Sequence, residues 1–258
     1  MKYINGNKIS IIMPAYNEEA HISASLAETI RTFDNFKLNY EIIVVDDGST
    51  DKTYELAKAF GEKHSGGKVI VQRNRANYGK GRALQKGFRF AKGEYVIFLD
   101  ADMDLHPGQI DTFFDIMRLT DSDLVIGSKR HPNSQLFYPW ERRIMSAVYF
   151  FIIKLMFGLP INDTQTGLKL FKHKVLKDVF REFISREFAF DLELLVNANR
   201  LGYKIAEAPV SLQSQRLYSR IGLGTVYKMC LHTIAIYMRY VRNRARRIVS
   251  KMNRKKIK

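Results

Sequence analysis

Five short apolar runs alternate with four amphipathic stretches over the first half of this 258-residue chain. The runs, at 8–14, 41–46, 68–72, 94–100 and 123–128, are of strand length and rich in Ile and Val. Between them Glu18–Phe33, Asp51–Lys63, Gly81–Ala91 and Pro107–Arg118 carry helical spacing. Continuous apolar strands separated by helices are what a parallel sheet covered on both faces requires. The pattern therefore predicts an α/β fold with right-handed crossovers. Local signals agree, since Asp51 can cap the helix that follows it and Pro107 suits a first helical turn.

Past residue 128 the rhythm changes. Lys129 to Trp140 reads as a polar loop, and Trp140–Phe157 as a hydrophobic helix of the interfacial kind (140–157). Asn162-Asp-Thr-Gln-Thr-Gly167 reads as a turn, followed by a strand at Leu168–Phe171, a helix near Phe190–Leu201 and a strand at Tyr203–Leu212. Tyr218–Val241 is apolar on one side. The expected division is a folded body over 1–217, then an amphipathic helix and basic tail over 218–258.

Charge narrows the partners. The 42 Lys and Arg against 26 Asp and Glu give a formal charge of +16, which calls for an anionic partner: nucleic acid, anionic lipid or a phosphorylated substrate. Ten of the basic residues lie between Arg239 and Lys258, a stretch without an acidic residue. Beside an amphipathic helix, such a tail suits an anionic membrane surface. Cys230 stands alone, so an intrachain disulfide is excluded, and the histidines lack zinc spacing. Met1–Lys8 is polar, and the chain reads as having no leader peptide. No apolar run reaches the ~18–20 residues of a membrane span, so attachment is expected to be peripheral.

The chemistry gathers at the strand ends. Asp100-Ala101-Asp102 follows the run Glu94–Leu99, and Asp104 comes two residues later. Three close carboxylates repel one another without a cation, and Mg²⁺ or Mn²⁺ favours such oxygen ligands. Asp46-Asp47-Gly48-Ser49 ends the second strand, and Ala15-Tyr16-Asn17-Glu18 follows the first. Alone, the Asp46 cluster reads better as a helix-capping turn. Together they predict one ligand site along the carboxyl edge of the sheet. Asn77-Tyr78-Gly79-Lys80-Gly81 fits neither the Walker pattern nor the dinucleotide fingerprint. It reads either as a turn that places a cation, Lys80, at a helix N-terminus where a diphosphate can be held, or as only a strand-to-helix connection. Arg142, Arg143 and Ser146 open the hydrophobic segment as either a charged helix end or an anion clamp suited to a lipid phosphate.

The motifs Ile12-Met-Pro-Ala-Tyr-Asn-Glu18, Val44-Val-Asp-Asp-Gly-Ser-Thr-Asp51, Asn77-Tyr-Gly-Lys-Gly81 and Phe98-Leu-Asp-Ala-Asp102, in this order and spacing, resemble the family 2 glycosyltransferases of GT-A fold. Ile126-Gly-Ser-Lys-Arg130, Trp140-Glu-Arg-Arg143, Asp163-Thr-Gln-Thr-Gly-Leu-Lys-Leu-Phe171 and Phe190-Asp-Leu-Glu-Leu-Leu195 resemble the dolichyl- or polyprenyl-phosphate hexose synthases, and lean toward their glucosyl branch. The resemblance implies a GT-A domain over 1–217, with a mostly parallel sheet. It implies that Pro14, Ala15, Tyr16, Glu18 and Asp46 hold the nucleoside of a nucleotide-diphosphate sugar, with Lys80 and Ala101 lining the same pocket. Asp100, Asp102 and Asp104 would organise Mg²⁺ or Mn²⁺ and the diphosphate. Arg130, Arg142 and Ser146 would receive the polyprenyl or dolichyl phosphate, and Arg216 or Arg220 would close over the site.

The implied reaction is a metal-dependent, inverting hexose transfer at the cytoplasmic face of a membrane. Its nearest alternative is transfer to a glycan hydroxyl, with Asp191 or Glu193 as base. A basic nucleic-acid binder is the reading from another class, but no recognition motif of that kind is present.

Overall fold

The computed structural model describes residues 6–64, 66–134, 152–182, 190–212, 231 and 233–242. Arg142, Arg143, Ser146, Arg216 and Arg220 therefore lie outside the described residues.

Seven strands form one sheet: β1 Lys8–Ala15, β2 Asn39–Asp46, β3 Val69–Arg73, β4 Tyr95–Phe98, β5 Leu124–Ser128, β6 Lys169–Lys172 and β7 Ile205–Pro209. Their order is β3-β2-β1-β4-β6-β5-β7. β1 pairs in parallel with β2 and β4, β2 with β3, and β5 with β7. Only β6 runs against its neighbours β4 and β5. The mostly parallel sheet is thus as the sequence predicts.

The helices are α1 Ile22–Asn35, α2 Thr53–His64, α3 Lys80–Phe88, α4 Ile110–Thr120, α5 His173–Val179 and α6 Phe190–Arg200, with a short 3-10 turn at Pro107–Gln109 before α4. Strand alternation sorts them onto two faces. Ile9, Ile11 and Met13 of β1 face α1, α2 and α4, whereas Ile12 faces α3, α5 and α6. Both faces are packed, which is why the strands read as unbroken apolar runs.

Several elements depart from expectation. Helix α1 begins at Ile22 and not at Glu18. Asn17 adopts a left-handed φ of 53°, and the amides of Asn17, Glu18 and Glu19 bond to Ser49, Thr53 and Asp51, which holds this loop out of the helix. Strand β4 stops at Phe98, so Asp100 sits in the loop beyond it. Helix α5 is unforeseen. It is only seven residues long, and it is stabilised by burying Val175, Leu176 and Val179.

Residues 152–157 and 233–242 are helical and pack on the α3–α6 face, burying Ile153, Phe157 and Ile236. The Phe157 ring meets Tyr237 and Tyr240 edge-on, with centroids 5.7 and 5.8 Å away. The described part of 218–258 thus adheres to the body. Among the described residues no helix is long and apolar enough to cross a membrane.

Candidate active site

The carboxyl ends of β1, β2 and β4 meet at one edge because the three strands are adjacent and parallel. This brings Pro14, Ala15, Tyr16, Glu18, Asp46, Asp100, Ala101 and Asp102 to a common region, as the sequence predicts. Helix α3 starts at the same edge and delivers Lys80. β5 ends there too, and Arg130 follows it in a turn.

Asp100 is the centre of the arrangement. The Lys80 ammonium donates to both its oxygens, at 2.6 and 2.8 Å. About a third of each side chain stays exposed. Burial pushes the Asp100 carboxyl up, but Lys80, Lys169 and Lys129 outweigh it and hold the group below the usual carboxylate range. Burial likewise pulls Lys80 down, yet Asp100, Asp191 and Asp102 raise it above an ordinary lysine. Both groups are therefore charged at neutral pH.

Asp102 lies two residues on, half-buried, and its Oδ1 accepts the Asp104 amide at 3.1 Å across a turn in which Met103 has a φ of 63°. Among the described residues no three carboxylate, imidazole or thiol groups converge as a ready-made metal cage. What the edge offers is hard carboxylate oxygens of Asp100, Asp102 and Asp104 in a partly open loop. That donor chemistry fits Mg²⁺ bound through one or two carboxylates plus substrate phosphates.

Two further residues shape this centre, and neither stands out as a ligand in the sequence. A Cβ built on Gly167 would lie 2.2 Å from Asp100 Oδ2. The loop can press against the carboxylate only because no side chain intervenes. Gly167→Ala should displace Asp100 and lower turnover about 10- to 100-fold in a protein that still folds, since catalytic groups misplaced by ~1 Å lose ~10²-fold. Steady-state kinetics beside a circular dichroism melt checks this. The second residue is Lys169, on β6 between Phe98 of β4 and Ile126 of β5. It is 1% exposed, and it donates to the Thr166 carbonyl and, at 2.6 Å, to Asp191. A lysine inside the apolar run Leu168–Phe171 was the available signal, because a buried ammonium needs a partner.

The second-strand cluster divides its labour. Asp47 accepts from the Asn74 side chain at 2.7 Å and from the amides of Tyr78 at 3.2 Å and Gly79 at 2.7 Å. Those two amides, just ahead of α3, are thus spent on Asp47. The phosphate-holding capacity of this turn rests on Lys80. Asp46 is fully buried, with Oδ1 accepting the Ser49 amide at 3.2 Å and Oδ2 lying 3.1 Å from Arg73 Nε. Tyr16, by contrast, is 42% exposed at the mouth of the same edge. Asp51 accepts the Thr53 amide at 3.0 Å across the turn ahead of α2, whose first helical bond is accepted by the Lys52 carbonyl.

The two carboxylates weighed as bases are both paired. Asp191 bonds to Lys169, and Glu193, 4% exposed, meets Arg239 at 3.4 Å.

The chain belongs to glycosyl transferase family 2, whose family model matches residues 10–180, and its seven-stranded, mostly parallel sheet with an aspartate-bearing loop at the carboxyl edge is a GT-A fold. It is 31% identical over 214 residues to a dolichyl-phosphate beta-glucosyltransferase of Dictyostelium discoideum, a match covering 79% of this chain and 65% of the relative. It is 34% identical over 214 residues to another of that name from Trichomonas vaginalis, covering 78% of this chain and 64% of the relative. The chain thus spans a little under two thirds of the length of these relatives. Among solved structures, glucosyl-3-phosphoglycerate synthase from Mycobacterium tuberculosis superposes with a TM-score of 0.68 at 23% identity, over 93% of this chain and 81% of that one. That likeness is one of fold.

Proposed function

We propose that this protein transfers a hexose, glucose from UDP-glucose in the leading version, to a dolichyl or polyprenyl phosphate at a membrane surface. The relatives named above support the reaction class, and the fold neighbour's complex with Mn²⁺ and UDP-glucose supports the donor and the metal. Mg²⁺ or Mn²⁺ held by Asp102 with Asp100 or Asp104 would supply Lewis-acid stabilisation of the departing diphosphate. Lys80, within reach of Asp100, adds a second positive charge where the leaving group's negative charge grows. Tyr16, Pro14, Ala15 and Glu18 border the nucleoside side of the edge, and Arg130 borders the acceptor side. Arg142 and Ser146 on the acceptor, and Arg216 or Arg220 over the donor, complete the proposal from the sequence.

The observation that carries the choice of acceptor is the pairing of Asp191 with Lys169. A hydroxyl nucleophile needs a base to take its proton. Here the carboxylates in question are bound in ion pairs with Lys169 and Arg239. A phosphate monoester arrives already deprotonated and needs only positioning, with inversion following from a single displacement. A matrix of UDP-glucose, GDP-mannose and other nucleotide sugars against lipid phosphates and free glycans tests this. Transfer confined to glycan hydroxyls would refute it.

A second observation favours the membrane surface. Leu231, Ile234, Met238 and Val241 recur at helical spacing and are 44–65% exposed, and Ile152 and Leu155 stand out at 45% and 79% on the segment whose Phe157 packs against Tyr237 and Tyr240. Lone exposed apolar residues are ordinary, but a contiguous stripe beside a basic tail suits a peripheral, cytoplasmic-face attachment to anionic lipid. Replacing Leu155 and Met238 together by Asp should reduce flotation with anionic vesicles at least fivefold and leave nucleotide binding intact. Unchanged flotation would remove this face from the account.

A further inference from the structure

Helix α3 presents a second face that the site does not use. Arg82, Gln85, Lys86 and Arg89 recur at i, i+3, i+4 and i+7, so they share one side of the helix. Across from them the loop after β3 brings Asn74 and Tyr78. Together these six residues line a cavity of about 420 Å³. Three of the six are cations, none is a carboxylate, and Tyr78 contributes a ring that is 44% exposed.

The arrangement is held in place from both sides. Asp47 fixes the Asn74 side chain and the Tyr78 amide. On the helix, a Cβ at Gly81 would lie 2.4 Å from the Phe190 ring, and one at Gly87 2.4 Å from Ile12. Helix α3 is seated closely against the sheet and α6, and its basic side cannot roll inward. Lys86 is further tethered by the Arg73 carbonyl at 2.5 Å. Among the described residues, the guanidinium groups of Arg82 and Arg89 form no ion pair.

Like charges three and four residues apart on a helix oppose its stability, and here no acidic residue on the same face offsets them. A multivalent anion would. Guanidinium forks bind phosphate oxygens in pairs, with a lysine adding a point charge. We infer that this cavity is a second anion site, separate from the Asp100 centre, that takes a phosphate-bearing ligand. The helix that carries the cavity's cations packs into the same layer as segments 152–157 and 233–242, which carry the exposed apolar stripe. The phosphate can therefore come from a lipid headgroup or from a soluble phosphorylated molecule.

Side-chain NMR resolves the Arg82 and Arg89 Nε–H groups individually, and its readout is independent of turnover. Inorganic phosphate and glycerol phosphate are titrated into the full chain as soluble probes. Phosphatidylcholine nanodiscs, with and without phosphatidic acid, serve as the lipid probe. Saturable shifts at Arg82 and Arg89 are expected, weakened at least tenfold in an Arg82→Gln/Arg89→Gln variant whose UDP binding stays within twofold of the parent. Shifts with the soluble probes assign a soluble ligand, and shifts only with phosphatidic acid assign a headgroup; either supports the site. The inference is overturned if neither probe moves these groups, if shifts are confined to Lys80 and the Asp100 loop, or if the double variant binds with parental affinity.

Discussion

Asp102→Asn is expected to lower turnover at least about 100-fold, equivalent to losing about 3 kcal/mol of transition-state stabilisation. The change is nearly isosteric. It removes one negative charge from a loop in which one of the two other carboxylates, Asp100, is already matched by Lys80 at 2.6 Å. With Asp100 so engaged, Asp102 carries more of the cation's charge balance than a symmetrical pair of ligands would require. The variant should need a higher Mg²⁺ or Mn²⁺ concentration for whatever activity remains, and excess chelator should silence the parent protein. The check is initial rate against metal concentration for both forms. Undiminished parental activity in chelator would contradict the role given to this loop.

Lys169→Met should destabilise the fold by about 3–5 kcal/mol, because it leaves the Asp191 carboxylate without its partner. Lys169 is 1% exposed, so water cannot take the ammonium's place without opening the sheet edge. The double variant Lys169→Met/Asp191→Leu removes both charges and should recover most of that loss, as apolar replacements of buried pairs often do. Urea unfolding of the three proteins measures it. A single variant within about 1 kcal/mol of the parent would show the pair to be dispensable. The neighbouring Lys80–Asp100 pair adds a pH signature. The lowered Asp100 pKa contributes stability that is present above the unfolded carboxylate pKa and lost as pH falls through the folded one. The raised Lys80 pKa contributes stability that is present below the unfolded lysine pKa and lost as pH rises through the folded one.

The parallel half of the sheet was legible because β1, β2 and β4 are buried on both faces and so appear as unbroken apolar runs ending in polar turns. Asp100, Asp102 and Lys80 were legible for the same reason: strand ends and helix starts place them at the carboxyl edge. The reversed direction of β6 was not legible, since a four-residue strand reads alike in either direction. Nor was the use of Asp47, whose three hydrogen bonds reach residues about thirty positions away. Gly167 and Lys169 escaped as site residues because their importance lies in what packs against them. A glycine's value under a carboxylate appears only once β4 and the turn before β6 are side by side. Asp191 shows the converse. Its sequence context admitted a base, and the contact with Lys169 adds a partner that the sequence did not reveal.

The proposed acceptor is a lipid phosphate. The most direct measurement gives the purified full chain UDP-glucose, Mg²⁺ or Mn²⁺, and two isoprenoid acceptors that differ only in their headgroup, a polyprenyl phosphate and the matching polyprenol. The prediction is a β-linked glucosyl phosphate lipid from the first and no product from the second. Equal transfer to the free alcohol, or transfer to neither while a glycan hydroxyl is glucosylated, would contradict it.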